Sequence, residues 1–227
     1  MGRAADIAFS YVARDWSPLP IPTGRKCPNV KGWPELRIKI GQVETYFARD
    51  PLNIGILLGD ASGRLVDVDL DCEEACAIAA SILPSTNSVF GRRSKPTSHM
   101  LFTCKIESKA FKDPERGDTL LEIRSNGHQT VFPGSIHPSG ESVEWYEDGP
   151  VAEISDFERN PHTGRLVGGA DSALRRIRVR NSGCGSTTRK ATFHRSGCPT
   201  QAAERRYSAR LAIFTRAIWR PSCRQSD

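Results

Sequence analysis

The sequence predicts an α+β sheet domain over residues 1–158, followed by a tail of a different kind over residues 159–227. Three observations point to it. Apolar residues recur in short runs between residues 54 and 146, several alternating at period two as in half-buried strands. Only three stretches before residue 90 carry a helical pattern. Glycine and proline stand between these segments as breakers.

Residues 4–14 predict a short amphipathic helix with Ile7, Ala8, Tyr11 and Val12 on its apolar side. Pro18, Pro20, Pro22, Gly24, Pro28 and Pro34 then predict an extended, loop-rich stretch. A second helix is expected over 41–49, and the apolar run 54–58 reads as a strand. Residues 65–70 form the clearest strand: Val66, Val68 and Leu70 share one face, while Asp67, Asp69 and Asp71 share the other. A helix over 72–83 follows, with Asp71 and Glu74 as an acidic version of the capping signal and Pro84 as its stop. Further strands are expected over 99–104, 119–124, 129–132 and 143–146.

The net charge of +6 is unevenly spread. Residues 1–160 hold 18 Lys/Arg against 23 Asp/Glu, a balance of −5, whereas residues 161–227 hold 14 against 3, a balance of +11. An acidic body joined to a basic extension points to a nucleic-acid-seeking or disordered tail. That tail is rich in Arg, Ser, Gly and Cys, with helical periodicity only over 201–219. It reads either as a disordered basic arm or as the product of a reading-frame shift, with a folded domain third. The apolar run 4–13 is interrupted by Asp6 and is too short for a signal peptide or a membrane span. The expectation is a cytoplasmic protein with no membrane partner and with its seven cysteines reduced. Cys72 and Cys76, four apart on a helix, read as packing rather than as a zinc site.

The acidic strand carries the strongest chemical signal. Carboxylates two apart on a strand lie on one face with Cα atoms about 6.6–6.8 Å apart. Their oxygens can converge on a pair of cations about 3.5–4 Å apart. A solvated acidic face, or Asp71 acting only as a cap, is the bland alternative. His99 follows a basic, glycine-containing turn (Gly91, Arg92, Arg93, Lys95) suited to an anion, although a core histidine is the commoner case. Glu122 and Arg124 share a face, as catalytic groups or as a surface ion pair. Residues 127–140 form two polar turns around a short strand.

Taken in order, these elements resemble the bifunctional DNA primase/polymerase N-terminal domain family over residues 5–150. Trp16-Ser17-Pro18-Leu19-Pro20-Ile21-Pro22 with Lys26 and Gly32-Trp33 look like its entry segment. Asn53-Ile54-Gly55-Ile56-Leu57-Leu58-Gly59 and the acidic strand look like its glycine-rich approach and first motif. His99 falls at the second motif, Glu122 at the third, and Pro133-Gly134-Ser135-Ile136-His137 with Ser139-Gly140 and Trp145 at the closing signature.

The resemblance implies an RRM-like catalytic domain with a mixed sheet flanked by helices. It implies two-metal nucleotidyl transfer, with Mg²⁺ or Mn²⁺ held by Asp67, Asp69, Asp71 and Glu122. His99 is then expected to contact the triphosphate, and Arg92, Arg93, Lys95 and Arg124 to neutralise phosphates. The implied partners are a DNA template, nucleoside triphosphates and a separate replicative helicase, in a phage or mobile-element setting. Because the body is acidic, positive charge must cluster near the site. Asp67/Asp69 and Asp69/Asp71 overlap, so the register of the first motif stays open. Two rivals share the chemistry or the fold: a metal-dependent phosphohydrolase or nuclease, and an inactive nucleic-acid-binding prophage remnant.

Overall fold

The computed structural model describes residues 3–48, 51–113, 116–154, 158–159 and 166–167. All of them lie in one compact unit, Met1–Gly169; a second unit, Ala170–Asp227, lies outside the described residues, and with it the helix expected over 201–219. Among the described residues no helix is long and apolar enough to cross a membrane.

The chain opens with α1 (Arg3–Val12), β1 (Ser17–Pro22), α2 (Val43–Tyr46), β2 (Leu52–Leu57), β3 (Leu65–Leu70) and α3 (Glu73–Ile82). There follow β4 (Ser88–Arg92), β5 (Lys95–Thr103), β6 (Lys109–Lys112), β7 (Thr119–Arg124), β8 (Gln129–Val131), β9 (Val143–Asp148) and β10 (Ala152–Glu153). Two further short strands, β11 (Glu158–Arg159) and β12 (Leu166–Val167), pair with each other. A small antiparallel sheet runs β1-β2-β8, and a seven-stranded sheet runs β6-β7-β3-β5-β4-β9 with β10 beside the end of β5. The β10–β5 pairing is parallel and the rest are antiparallel, so the larger sheet is mixed and the architecture is α+β.

The proline-rich entry is a strand, not a loop. Pro18, Pro20 and Pro22 alternate with Ser17, Leu19 and Ile21, and the strand sits at the edge of its sheet. A proline at every second position removes only donors that face away from β2, which an edge strand tolerates. Leu19 and Ile21 are fully buried. The helix expected over 41–49 shrinks to a 3₁₀ turn, Ile40–Gln42, leading into α2. The cap of α3 also differs from expectation. Cys72, not Asp71, is the N-cap, and its Sγ accepts from the Ala75 amide at 3.4 Å.

β4 and β6 were not expected from the pattern: Ser88-Val89-Phe90-Gly91-Arg92 has only two large apolar residues, and Lys109–Lys112 has one. The basic turn is in fact the β4–β5 hairpin, with Arg92 opposite Lys95. Gly91 is needed there because a Cβ at that position would lie 2.0 Å from the Lys95 carbonyl oxygen.

The core joins α1, α2 and the small sheet to the larger sheet through Ala8, Tyr11, Ile54, Ile56, Phe90, Leu101 and Phe132. Its centre is aromatic: Tyr11, Trp16, Phe90, Phe132 and Trp145 contact one another at ring-centroid distances of 4.7–6.5 Å. Burying such rings dominates the apolar driving force of a small domain. On the other side of β3, Val66, Val68 and Leu70 are buried, and α3 packs against the strand with Ala75 and Ala79 buried.

Candidate active site

β3 lies between β7 and β5, and the register pairs Asp69 with both Glu122 on β7 and His99 on β5. Directly paired residues present their side chains on the same face, so these three groups form one row across the sheet. Asp67, two residues earlier on the same face, pairs with Arg124 of β7. The row opens on a cleft of about 440 Å³ lined by Asp69, Asp71, His99, Glu122, Arg124, Arg92 and Lys95. Sequence reasoning put all seven at the site.

Two expected residues stand apart from the cleft wall. Arg93 is exposed at the turn of the β4–β5 hairpin. Asp67 is entirely buried beneath the row. The alternative of a solvated acidic face fails for Asp67 and Asp69, which are 0% and 8% exposed. Asp71 alone is exposed.

Each buried carboxylate has partners. Asp67 accepts from Thr130 Oγ1 at 2.7 Å and from His99 Nδ1 at 3.0 Å on Oδ2, with Oδ1 at 3.2 Å from the same nitrogen. Burial opposes the Asp67 charge, but His99, Arg124 and Thr130 together hold the carboxyl below the usual carboxylate range. Burial likewise opposes an imidazolium at His99, yet Asp67 and Asp69 raise its pKa above the ordinary value. The His99 ring stacks on Phe90 at 4.5 Å with an interplanar angle of 9°.

Arg124 bridges the row: its Nη2 lies 2.7 Å from Asp69 Oδ2, and its Nε donates to Glu122 Oε2 at 2.6 Å. Far from a surface ion pair, Glu122–Arg124 is half-buried and tied into the acidic strand. The Asp71 carboxyl is raised above the usual range by burial and then by the charge of Asp69. Among the described residues no hydrogen bond or ion pair reaches that carboxylate; only the Asp71 backbone is bound, its carbonyl accepting from Lys95 Nζ and its amide donating to Leu120.

Basic groups line the same cleft. Arg92 donates through Nη1 to His137 Nε2 at 2.9 Å and lies 3.2 Å from Glu141. His137 Nδ1 lies 2.8 Å from Ser139 Oγ and 3.1 Å from the Ser139 amide nitrogen, and Ser139 Oγ donates to Glu141 at 3.0 Å. Burial, Arg92 and Lys26 lower the His137 pKa, so the ring is held neutral. Lys26 comes from the loop after β1. Gln129 Nε2 donates to the Lys26 carbonyl at 2.6 Å, and Asn53 Nδ2 to that of Arg25 at 3.1 Å. Thr130, His137 and Lys26 are cleft residues to which sequence reasoning gave no role. The signal for the first two was the polar run around 127–140, and for Lys26 its place in the entry segment.

The fit of a divalent cation rests on the donor set. Asp69, Asp71 and Glu122 offer the hard oxygens that Mg²⁺ or Mn²⁺ takes. Among the described residues no three such groups already converge at ligand distance. The Arg124 guanidinium lies against Asp69 and Glu122, so an ion entering there competes with it.

The model of the bifunctional DNA primase/polymerase N-terminal domain family matches residues 8–157. No curated protein matches the chain.

Proposed function

Since the chain belongs to the bifunctional DNA primase/polymerase N-terminal domain family, we propose that its cleft performs metal-dependent nucleotidyl transfer on a DNA template. The observation that carries this reading is the row Asp69–His99–Glu122, which shares one cleft with Arg92, Lys95 and Lys26. Acidic and basic groups in one cleft suit the two ends of a cation–triphosphate pair. They also place positive charge where an acidic body needs it. The finer expectation of an RRM-like catalytic fold rests on the family and is supported by the three motifs falling on adjacent antiparallel strands.

Asp69, Asp71 and Glu122 are the residues to hold Mg²⁺ or Mn²⁺. A bound divalent cation supplies Lewis-acid activation of a 3′-hydroxyl and charge neutralisation at the leaving phosphates. In the transfer, the hydroxyl oxygen bonds to the α-phosphorus and its proton passes to water. The bond from that phosphorus to the β-phosphate oxygen breaks and pyrophosphate departs. His99 and Lys95 donate to phosphate oxygens, while Arg92 is held toward the cleft by His137 and Glu141. Arg124 pairs with both Asp69 and Glu122 and holds the two carboxylates in place.

The experiment is primer extension with Mn²⁺ or Mg²⁺, with and without template. Asp69→Ala should lower incorporation by about 10²–10³-fold or more, as loss of one electrostatic stabiliser does, with folding preserved by circular dichroism. Near-normal extension by the folded variant refutes the site. Template-independent hydrolysis that needs the same residue favours the phosphohydrolase instead.

A further inference from the structure

We infer that Asp67 is the positioning residue of His99 and not a cation ligand, so that the first motif is read in the register Asp69–Asp71; the inference rests on the function proposed above. Both Asp67 oxygens are committed to protein donors, Thr130 at 2.7 Å and His99 at 3.0 and 3.2 Å. Its side chain has no exposed surface and does not line the cleft. Turning it to an ion there breaks these bonds and strips both partners of their acceptor. Asp71 is the converse case. It lines the cleft, and among the described residues its carboxylate makes no hydrogen bond or ion pair.

His99 is correspondingly held on every side but one. Phe90 covers the ring face, the backbone is fixed in β5 opposite Asp69, and Nδ1 donates to Asp67. Among the described residues no hydrogen bond reaches Nε2, which is left to face the cleft that the ring lines. A carboxylate behind Nδ1 fixes the tautomer and the ring plane. The fixed ring leaves Nε2 as the atom presented to a triphosphate in the cleft. Asp67 acts on the nucleotide through His99 alone.

The test uses the full chain and two probes, Mn²⁺ followed by electron paramagnetic resonance and deoxyadenosine triphosphate followed by steady-state incorporation. Asp67→Asn is expected to change the Mn²⁺ Kd by less than about threefold while raising the nucleotide KM by more than about tenfold. Asp71→Asn is expected to weaken Mn²⁺ by more than about tenfold. In a His99→Gln background, Asp67→Asn should cost nothing further, because two residues acting through one contact are not additive. The inference is overturned if Asp67→Asn loses Mn²⁺ as Asp71→Asn does, or if its cost adds to that of His99→Gln.

A wild-type measurement covers the case of a variant that does not fold. The imidazole ¹⁵N signals of His99 should keep their hydrogen-bonded Nδ1–H pattern at saturating Mg²⁺. Loss of that pattern means Asp67 has turned to the ion, and also overturns the inference. A protein that binds Mn²⁺ as described yet incorporates no nucleotide defeats the proposed function, while the metal and imidazole results still decide the role of Asp67.

Discussion

Asp67 and His99 depend on each other for their charge, and the dependence has a pH signature. His99 is raised above its ordinary value by Asp67 and Asp69 against the cost of burial. Its contribution to stability is therefore complete below the ordinary histidine value and is lost as pH rises through the raised one. Asp67 is depressed, so its contribution is present above the ordinary carboxylate value and is lost as pH falls through the depressed one. The pair stabilises most between these limits. The melting temperature should fall on the alkaline side of the window, and His99→Gln should remove that alkaline limb. Thermal melts across about pH 5 to 9, the range in which histidine titrates, check this; an unchanged limb in the variant assigns it to other groups. Asp69, His99 and Glu122 were legible in the sequence because a period-two strand fixes faces without knowledge of the fold. The separate task of Asp67 was not, since the same residue type occurs three times on that face and its partner Thr130 lies 63 residues away. Lys26 and His137 reach the cleft on loops, where no periodicity announces a direction.

The elements differ in how far local pattern sufficed to identify them. β3 and β7 fall where alternation put them. β1 escaped because proline marks a break unless the edge position is known, and edge position is a property of the whole sheet. β8 is only three residues long, and side chains extend its pairing with β2. Asn53 accepts from the Ile136 amide at 2.8 Å and donates to the Ile136 carbonyl at 2.7 Å, while Ser135 Oγ accepts from the Ile54 amide at 2.9 Å. The same Asn53 amide holds the Arg25 carbonyl and so the basic loop. Asn53 is 1% exposed, and Asn53→Ala leaves its buried partners unpaired, at about 1–3 kcal/mol. Urea denaturation should show that loss, and nucleotide KM should rise as the Lys26 segment loosens. A stability loss with unchanged KM means the clasp serves the fold alone.

At the scale of the chain, charge divides where the family match ends. The matched segment stops at residue 157, and the excess of +11 lies beyond residue 160. We propose that residues 161–227 retain DNA without taking part in the chemistry. A protein of residues 1–160 should keep metal-dependent incorporation on short templates, bind DNA more weakly at low salt, and show a shallower salt slope, since each phosphate contact contributes roughly 0.9 to that slope on duplex DNA. Matching slopes for the two lengths dismiss the arm, and an inactive short form at saturating DNA moves the boundary. The larger sheet has one more consequence, for synthesis of the protein. β3 precedes β5 and β7 in the chain yet lies between them. As the chain leaves the ribosome, the acidic strand emerges with both edges open. β5 closes one edge and delivers His99; β7 closes the other and delivers Glu122 and Arg124. Until β7 is out, Asp69 lacks the guanidinium that balances it. The acidic row is therefore incomplete at any chain length short of this third strand, and translation cut off before it leaves β3 with one edge unpaired.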